Sequence, residues 1–128
     1  MISTNIMGIQ EEIDALWKKL DEMKGDASKI ADLYVEEAVL AMPEGVMKKP
    51  EIKMFYENYL KNVEMAGDKQ HDLTALGSDF CLKRGVVTAK DKNTGKTQEI
   101  WYATIYKKVG AEWKVHTDVG IELKPHVA

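Results

Sequence analysis

The chain's 128 residues fit one domain, and the 45% hydrophobic and 30% charged residues leave enough apolar material for one core. A net charge of −3, with the basic residues scattered, excludes an electrostatic attraction to nucleic acid or to an anionic membrane. Cys81 is the sole cysteine, so an intramolecular disulfide and a multi-cysteine zinc site are both excluded, and a buried, inert thiol is expected.

Near the start, Ile6, Ile9, Ile13, Leu16, Leu20 and Met23 follow one another at spacings of three and four, forming one apolar stripe of a helix with Glu11, Glu12, Lys18, Lys19 and Glu22 off it. Gly25 stops that helix, and core packing is the expected use of its stripe. In the next stretch, GDASKIADLYVEEAVLAMP (25–43), Asp26 or Ser28 can cap a short helix carrying Ile30, Leu33 and Tyr34. After Glu36 and Glu37 the run Ala38–Met42 is apolar and closed by Pro43, as a buried strand would be. Pro50 suits the first turn of a further helix bearing Ile52, Phe55, Tyr56, Tyr59, Leu60 and Val63, with Gly67 ending it. From Lys69 onward the pattern is that of strands. These are His71–Phe80 with a turn near residues 77–79, Phe80–Lys90, Thr97–Lys108 after a hairpin turn at Asp91–Lys96, and Trp113–Leu123 after a turn at Val109–Glu112. Helices first and a meander of antiparallel strands after is an α+β order.

The helix-to-strand order of residues 25–43 resembles the corresponding part of the nuclear transport factor 2-like superfamily, which includes ketosteroid isomerases and SnoaL-like cyclases. The stretch Ile105–Asp118 (IYKKVGAEWKVHTD) is similar to the ending of SnoaL-like domains. Lys49–Phe55 keeps the family's apolar pair but lacks its glycine. The resemblance spans about residues 8 to 123 and implies one SnoaL-like, ketosteroid isomerase-like domain over 1–128. The fold implied is an α+β cone, a curved and mostly antiparallel sheet wrapped around N-terminal helices, with a loop and short strand between Pro43 and Pro50. It also implies that the isomerase's own groups are missing. The position of the catalytic base holds Met42, that of the helix tyrosine Trp17 or Lys18, and that of the second acid falls near Ala103. Ketosteroid isomerase activity of that type is therefore not expected.

His116 and Asp118 remain as candidate catalytic residues, two apart on the last strand and so expected on one face, where a His–Asp pair can do general acid–base work. The alternate Trp113, Val115, Thr117, Val119 and Ile121 has the stronger claim on the interior, which puts the pair on the outer face, while a bulge in the strand would turn them inward. Tyr34, Met42, Tyr59 and Trp101 are candidates for a pocket for an apolar or aromatic metabolite, although the same rings can simply fill the cone; Phe55 and Trp17 read as core. No cofactor and no metal are expected, since His71, His116 and an acid would converge only by tertiary accident. The strands Phe80–Lys90 and Thr97–Lys108 are apolar on both alternates, which predicts a homodimer through the outer sheet face. Three functions follow: a small-molecule-binding protein, a cofactor-independent lyase, isomerase, cyclase or dehydratase acting through His116 and Asp118, or a dimeric assembly module. The first residues lack the order of a secretory signal, and no segment approaches the roughly 18 apolar residues of a membrane helix. A cytoplasmic protein with neither nucleic-acid nor membrane partners is expected.

Overall fold

The structure, a computed structural model, describes residues 6–23 and 26–123. Helix α1 (Ile6–Met23) and the short α2 (Ala27–Ala31) precede β1 (Tyr34–Met42) and β2 (Gly45–Lys48). Then come α3 (Lys49–Asn62) and the strands β3 (Val63–Ala75), β4 (Phe80–Asp91), β5 (Thr97–Val109) and β6 (Glu112–Glu122). The strands form one curved sheet in the order β2-β1-β6-β5-β4-β3, antiparallel throughout except for the parallel β1–β6 pair. This is the α+β cone the sequence predicted, with the helices inside the curve.

Local chemistry explains where the elements begin. Asp26 caps α2, its carboxylate accepting from the Ser28 and Lys29 N–H groups, which have no partner within the helix. Pro50 lies in the first turn of α3, and Glu51 reaches back to the Lys48 N–H. At the β4–β5 hairpin Asp91 Oδ1 accepts from the Asn93 and Thr94 N–H groups, and Gly95 takes a positive φ. The predicted end of the first helix, Gly25, lies outside the described residues.

Two boundaries differ from the sequence reading. Tyr34 opens β1 instead of closing the helix before it, because it pairs with Val115 of β6. Helix α3 stops at Asn62, and Gly67 lies within β3. There Val63 pairs with Asp91, and the β3–β4 ladder runs through two bulges to Ala75. Pairing along the whole of β4 outweighs the helical spacing that carries on through Val63.

The core lies between the helices and the concave face. Ile13 of α1 and Ile52 of α3 are fully buried, against Leu40 of β1, Cys81 of β4, Tyr106 of β5 and Trp113 and Val115 of β6. Trp17 and Trp113 keep their indole N–H groups bonded, to the Tyr106 hydroxyl at 2.6 Å and to Glu12 at 3.0 Å, which ties α1 to the sheet.

Candidate functional site

The site depends on a bulge in β6. Val115 pairs with Tyr106 and Thr117 pairs with Ile105, so His116 has no partner on β5. One extra residue reverses which alternate faces the interior. Before the bulge Trp113 and Val115 point into the core. After it Asp118 and Gly120 do, while Thr117, Val119 and Ile121 turn outward, Ile121 being 50% exposed. His116 and Asp118 therefore lie on opposite faces, which corrects the expectation that they share one. The inward alternate expected to run from Trp113 to Ile121 holds only as far as Val115.

Outside, His116 meets the Phe80 ring edge-on at 5.8 Å and shares a 2.8 Å hydrogen bond with the Thr117 hydroxyl. Lys107 lies over the same Phe80 ring and pairs with Glu37 at 3.3 Å. Inside, Asp118 enters a hydroxyl network. Thr104, directly opposite it on β5, donates to Oδ1 at 2.9 Å, and the Tyr34 hydroxyl donates to Oδ2 at 3.2 Å. The Tyr34 and Tyr56 hydroxyls are 2.8 Å apart, which carries the chain onto α3. Lys49 fixes the start of β1 by donating to the Tyr34 carbonyl. Burial pushes the Asp118 carboxyl above the ordinary range, against the two hydroxyls, which favour the charged form. Burial likewise raises Tyr34 and Tyr56, with Asp118 adding to both. Among the described residues no lysine, arginine or histidine forms an ion pair with Asp118.

An apolar wall adjoins this network. Met42, at the end of β1, occupies the space that a side chain at Gly120 would fill; its Sδ would lie 2.7 Å from a Cβ there, with Ile100 Cγ2 at 3.1 Å. Met47 pairs with the buried Leu40. On α3 Phe55 stacks on Tyr59 at 5.1 Å and meets Tyr56 edge-on at 5.2 Å. Of the predicted pocket residues, Tyr34 and Met42 face the concave side from β1, and Tyr59 is half-buried in the α3 aromatic cluster. Trp101 does not join them. It alternates with the buried Ile100 and Tyr102 and pairs with Val86 and Ile121 on the convex face. Ala103, matched by the resemblance to an isomerase acid, also faces outward, opposite Arg84 and Val119.

A second interior cluster was not singled out from the sequence. Lys83, only 3% exposed, pairs with Asp68 at 3.0 Å between the rings of Trp17 and Tyr102, and Tyr102 donates to the same carboxylate at 2.6 Å. The alternation Cys81, Lys83, Gly85 on β4 was the signal that placed it inside. Its donors and acceptors are matched, so it reads as a brace between α1 and the sheet. Two clefts among the described residues lie outside the cone. One, of about 490 Å³, runs between α2 and α3 and carries charges of both signs; the other, of about 270 Å³, sits at the β4–β5 hairpin.

No protein-family model and no curated protein sequence matches the chain. Solved structures do. A ketosteroid isomerase-like protein from Erwinia carotovora atroseptica superposes with a TM-score of 0.76 at 16% identity, covering 97% of this chain and all of that one (100%). A protein from Xanthomonas campestris, proposed to be a calcium/calmodulin-dependent protein kinase II association domain, gives 0.75 at 25% identity over 91% of this chain and 88% of its own. A nuclear transport factor 2-like protein with a cystatin-like fold from Novosphingobium aromaticivorans gives 0.73 at 15% identity over 95% and 86%. The fold is that of the nuclear transport factor 2-like superfamily.

Proposed function

We propose that the chain is a small-molecule-binding protein that holds an uncharged apolar or aromatic ligand inside the cone, between the Met42–Ile100–Gly120 wall and the hydroxyls of Tyr34 and Tyr56. The observation that carries this reading is the Asp118–Tyr34–Tyr56 chain, a polar anchor set beside methionine and aromatic side chains. A few placed polar groups in an apolar lining suit recognition of a flat ligand. An acid–base enzyme built on a His116–Asp118 pair is disfavoured, because the bulge puts the imidazole on the other side of the sheet. Naphthalene, followed by amide chemical shifts, tests the reading. Resonances of Met42, Tyr56 and Gly120 are expected to move, and Met42→Lys is expected to weaken binding about tenfold or more by placing a charge in the apolar wall. His116→Ala is expected to leave the affinity unchanged. Shifts confined to the α2–α3 cleft or to the outer face, or binding indifferent to Met42→Lys, would overturn it.

A second reading is compatible with the first. The outer face stacks apolar rungs across neighbouring strands: Leu82, Ile105 and Thr117, then Ala103 and Val119, then Val86, Trp101 and Ile121. We propose a homodimer through this face. The likeness to proteins described as association domains supports it.

A further inference from the structure

We propose that His116 makes the association of two chains through the outer sheet face depend on pH: the dimer forms with the imidazole neutral, and proton uptake at His116 releases the monomers. This rests on the homodimer reading above and adds its regulation. The place of the ring follows from the β6 bulge. With no partner on β5, His116 lies on the outer face beside Thr117. Thr117 belongs to a rung that crosses four strands, with Val39 of β1, Ile105 of β5 and Leu82 of β4. Phe80, on the same alternate of β4 as Leu82, takes the imidazole edge-on at 5.8 Å. The ring is half-buried already in the single chain. A second copy seated on these rungs removes more of its water, which costs the charged form and not the neutral one. The 2.8 Å bond to the Thr117 hydroxyl survives in either state, because a hydroxyl both donates and accepts. It fixes where the ring sits and leaves its charge free to change.

The charges around the ring oppose a further positive one. From β5, Lys107 lies over the Phe80 ring. On β6 itself, Lys114 and His116 flank the buried Val115. From β1 comes Glu37, close enough to feel both Lys107 and His116, and it pairs with Lys107 at 3.3 Å. A hydrogen bond from its own backbone, and Lys107 after it, hold the Glu37 carboxyl below the usual range. Glu37 is therefore already charged where an imidazole titrates, between pH 5 and 8, and it is taken up by Lys107. β4 brings Phe80, which carries no charge. Among the described residues no carboxylate forms an ion pair with His116. Protonation adds a third cation to Lys107 and Lys114 against the single Glu37, and it does so on both protomers at once.

Sedimentation equilibrium of the full chain between pH 8 and 5 tests the proposal, with circular dichroism at each pH to confine the comparison to folded protein. The dimer dissociation constant is expected to rise by about a hundredfold from pH 8 to pH 5, about tenfold for each of the two imidazoles. His116→Gln keeps a neutral polar side chain, and its dissociation constant is expected to be the same at both ends of the range. His116→Lys carries a charge at every pH used, and is expected to be monomeric at micromolar concentration at pH 8. Replacing the other two histidines of the sequence, His71→Gln with His126→Gln, is expected to leave the wild-type pH dependence in place. A wild-type dimer with one dissociation constant from pH 8 to 5 overturns the switch and leaves the dimer standing. So does a pH dependence that persists in His116→Gln, a His116→Lys chain as dimeric as the wild type at pH 8, or a dependence lost with His71 and His126. A wild-type chain monomeric at pH 8 overturns the dimer and the switch together.

Discussion

Asp118 shows how a single carboxyl is both an asset and a cost. Its two hydroxyl partners stabilise the charge, but burial outweighs them and lifts its proton affinity in the folded state. The sign follows from linkage. A carboxyl that binds a proton more tightly folded than unfolded contributes nothing adverse below its unfolded pKa of about 3.9. Stability is then lost as pH rises through the folded pKa, and the loss is constant above it. Asp118→Asn keeps the shape, offers an amide donor to Tyr34 and removes the charge. It is expected to raise stability at pH 7 by about 1 kcal/mol, read as a higher Tm, and to give no gain at pH 3. A lower Tm at pH 7 would mean that the bonds from Thr104 and Tyr34 to the charge outweigh its burial.

At the scale of elements, glycines and bulges set which side chains enter the cone. Gly85 on β4 is the sharpest case. A Cβ there would lie 2.5 Å from the Lys69 carbonyl oxygen and 2.7 Å from the Tyr102 hydroxyl. The bare backbone lets Tyr102 lie across the strand and reach Asp68, which in turn holds Lys83. Gly85→Ala must shift β3 or dislodge Tyr102, and is expected to destabilise by about 2 kcal/mol in denaturant unfolding. Gly67→Ala is the control. Nothing lies within 4 Å of its added Cβ, and a change within about 0.5 kcal/mol is expected. The same scale divides what the sequence discloses from what it conceals. The α1 stripe, the Asp26 cap, Pro50 in the first turn of α3, the turn at Gly95 and the strand meander are all local signals, and each marks the observed element. The start of β3 at Val63 and the bulge at His116 are set by pairing with distant strands, β4 and β5, which no local pattern encodes. Strict alternation from Trp113 onward consequently gives the wrong face for Asp118, Val119 and Ile121. The aromatic character of Trp101 suggests a pocket wall, but its neighbours Ile100 and Tyr102 hold the inward alternate.

At the scale of the whole molecule, the sheet has two apolar faces, and among the described residues the helices cover the concave one. On the convex face the rung of Val86, Trp101 and Ile121 lies beside that of Ala103 and Val119, with Leu82 and Ile105 beyond. Charged pairs border these rungs, Arg84 with Asp72 on one side and Lys107 with Glu37 on the other. An apolar centre with a polar rim is the anatomy of an interface between protein surfaces, and a large aromatic near the centre commonly dominates its energy. Trp101 is the large aromatic among these rungs. Sedimentation of the wild-type chain at micromolar concentration is expected to show a dimer. Trp101→Glu would place a carboxylate in the apolar centre of this face, and is expected to weaken the dimer by about 2 kcal/mol or more, enough to give monomers at the same concentration. The concave site shares no side chain with these rungs, so naphthalene affinity should survive in the monomer. A wild-type chain that sediments as a monomer at micromolar concentration would remove the dimer. A Trp101→Glu variant that stays dimeric would move the interface to another face.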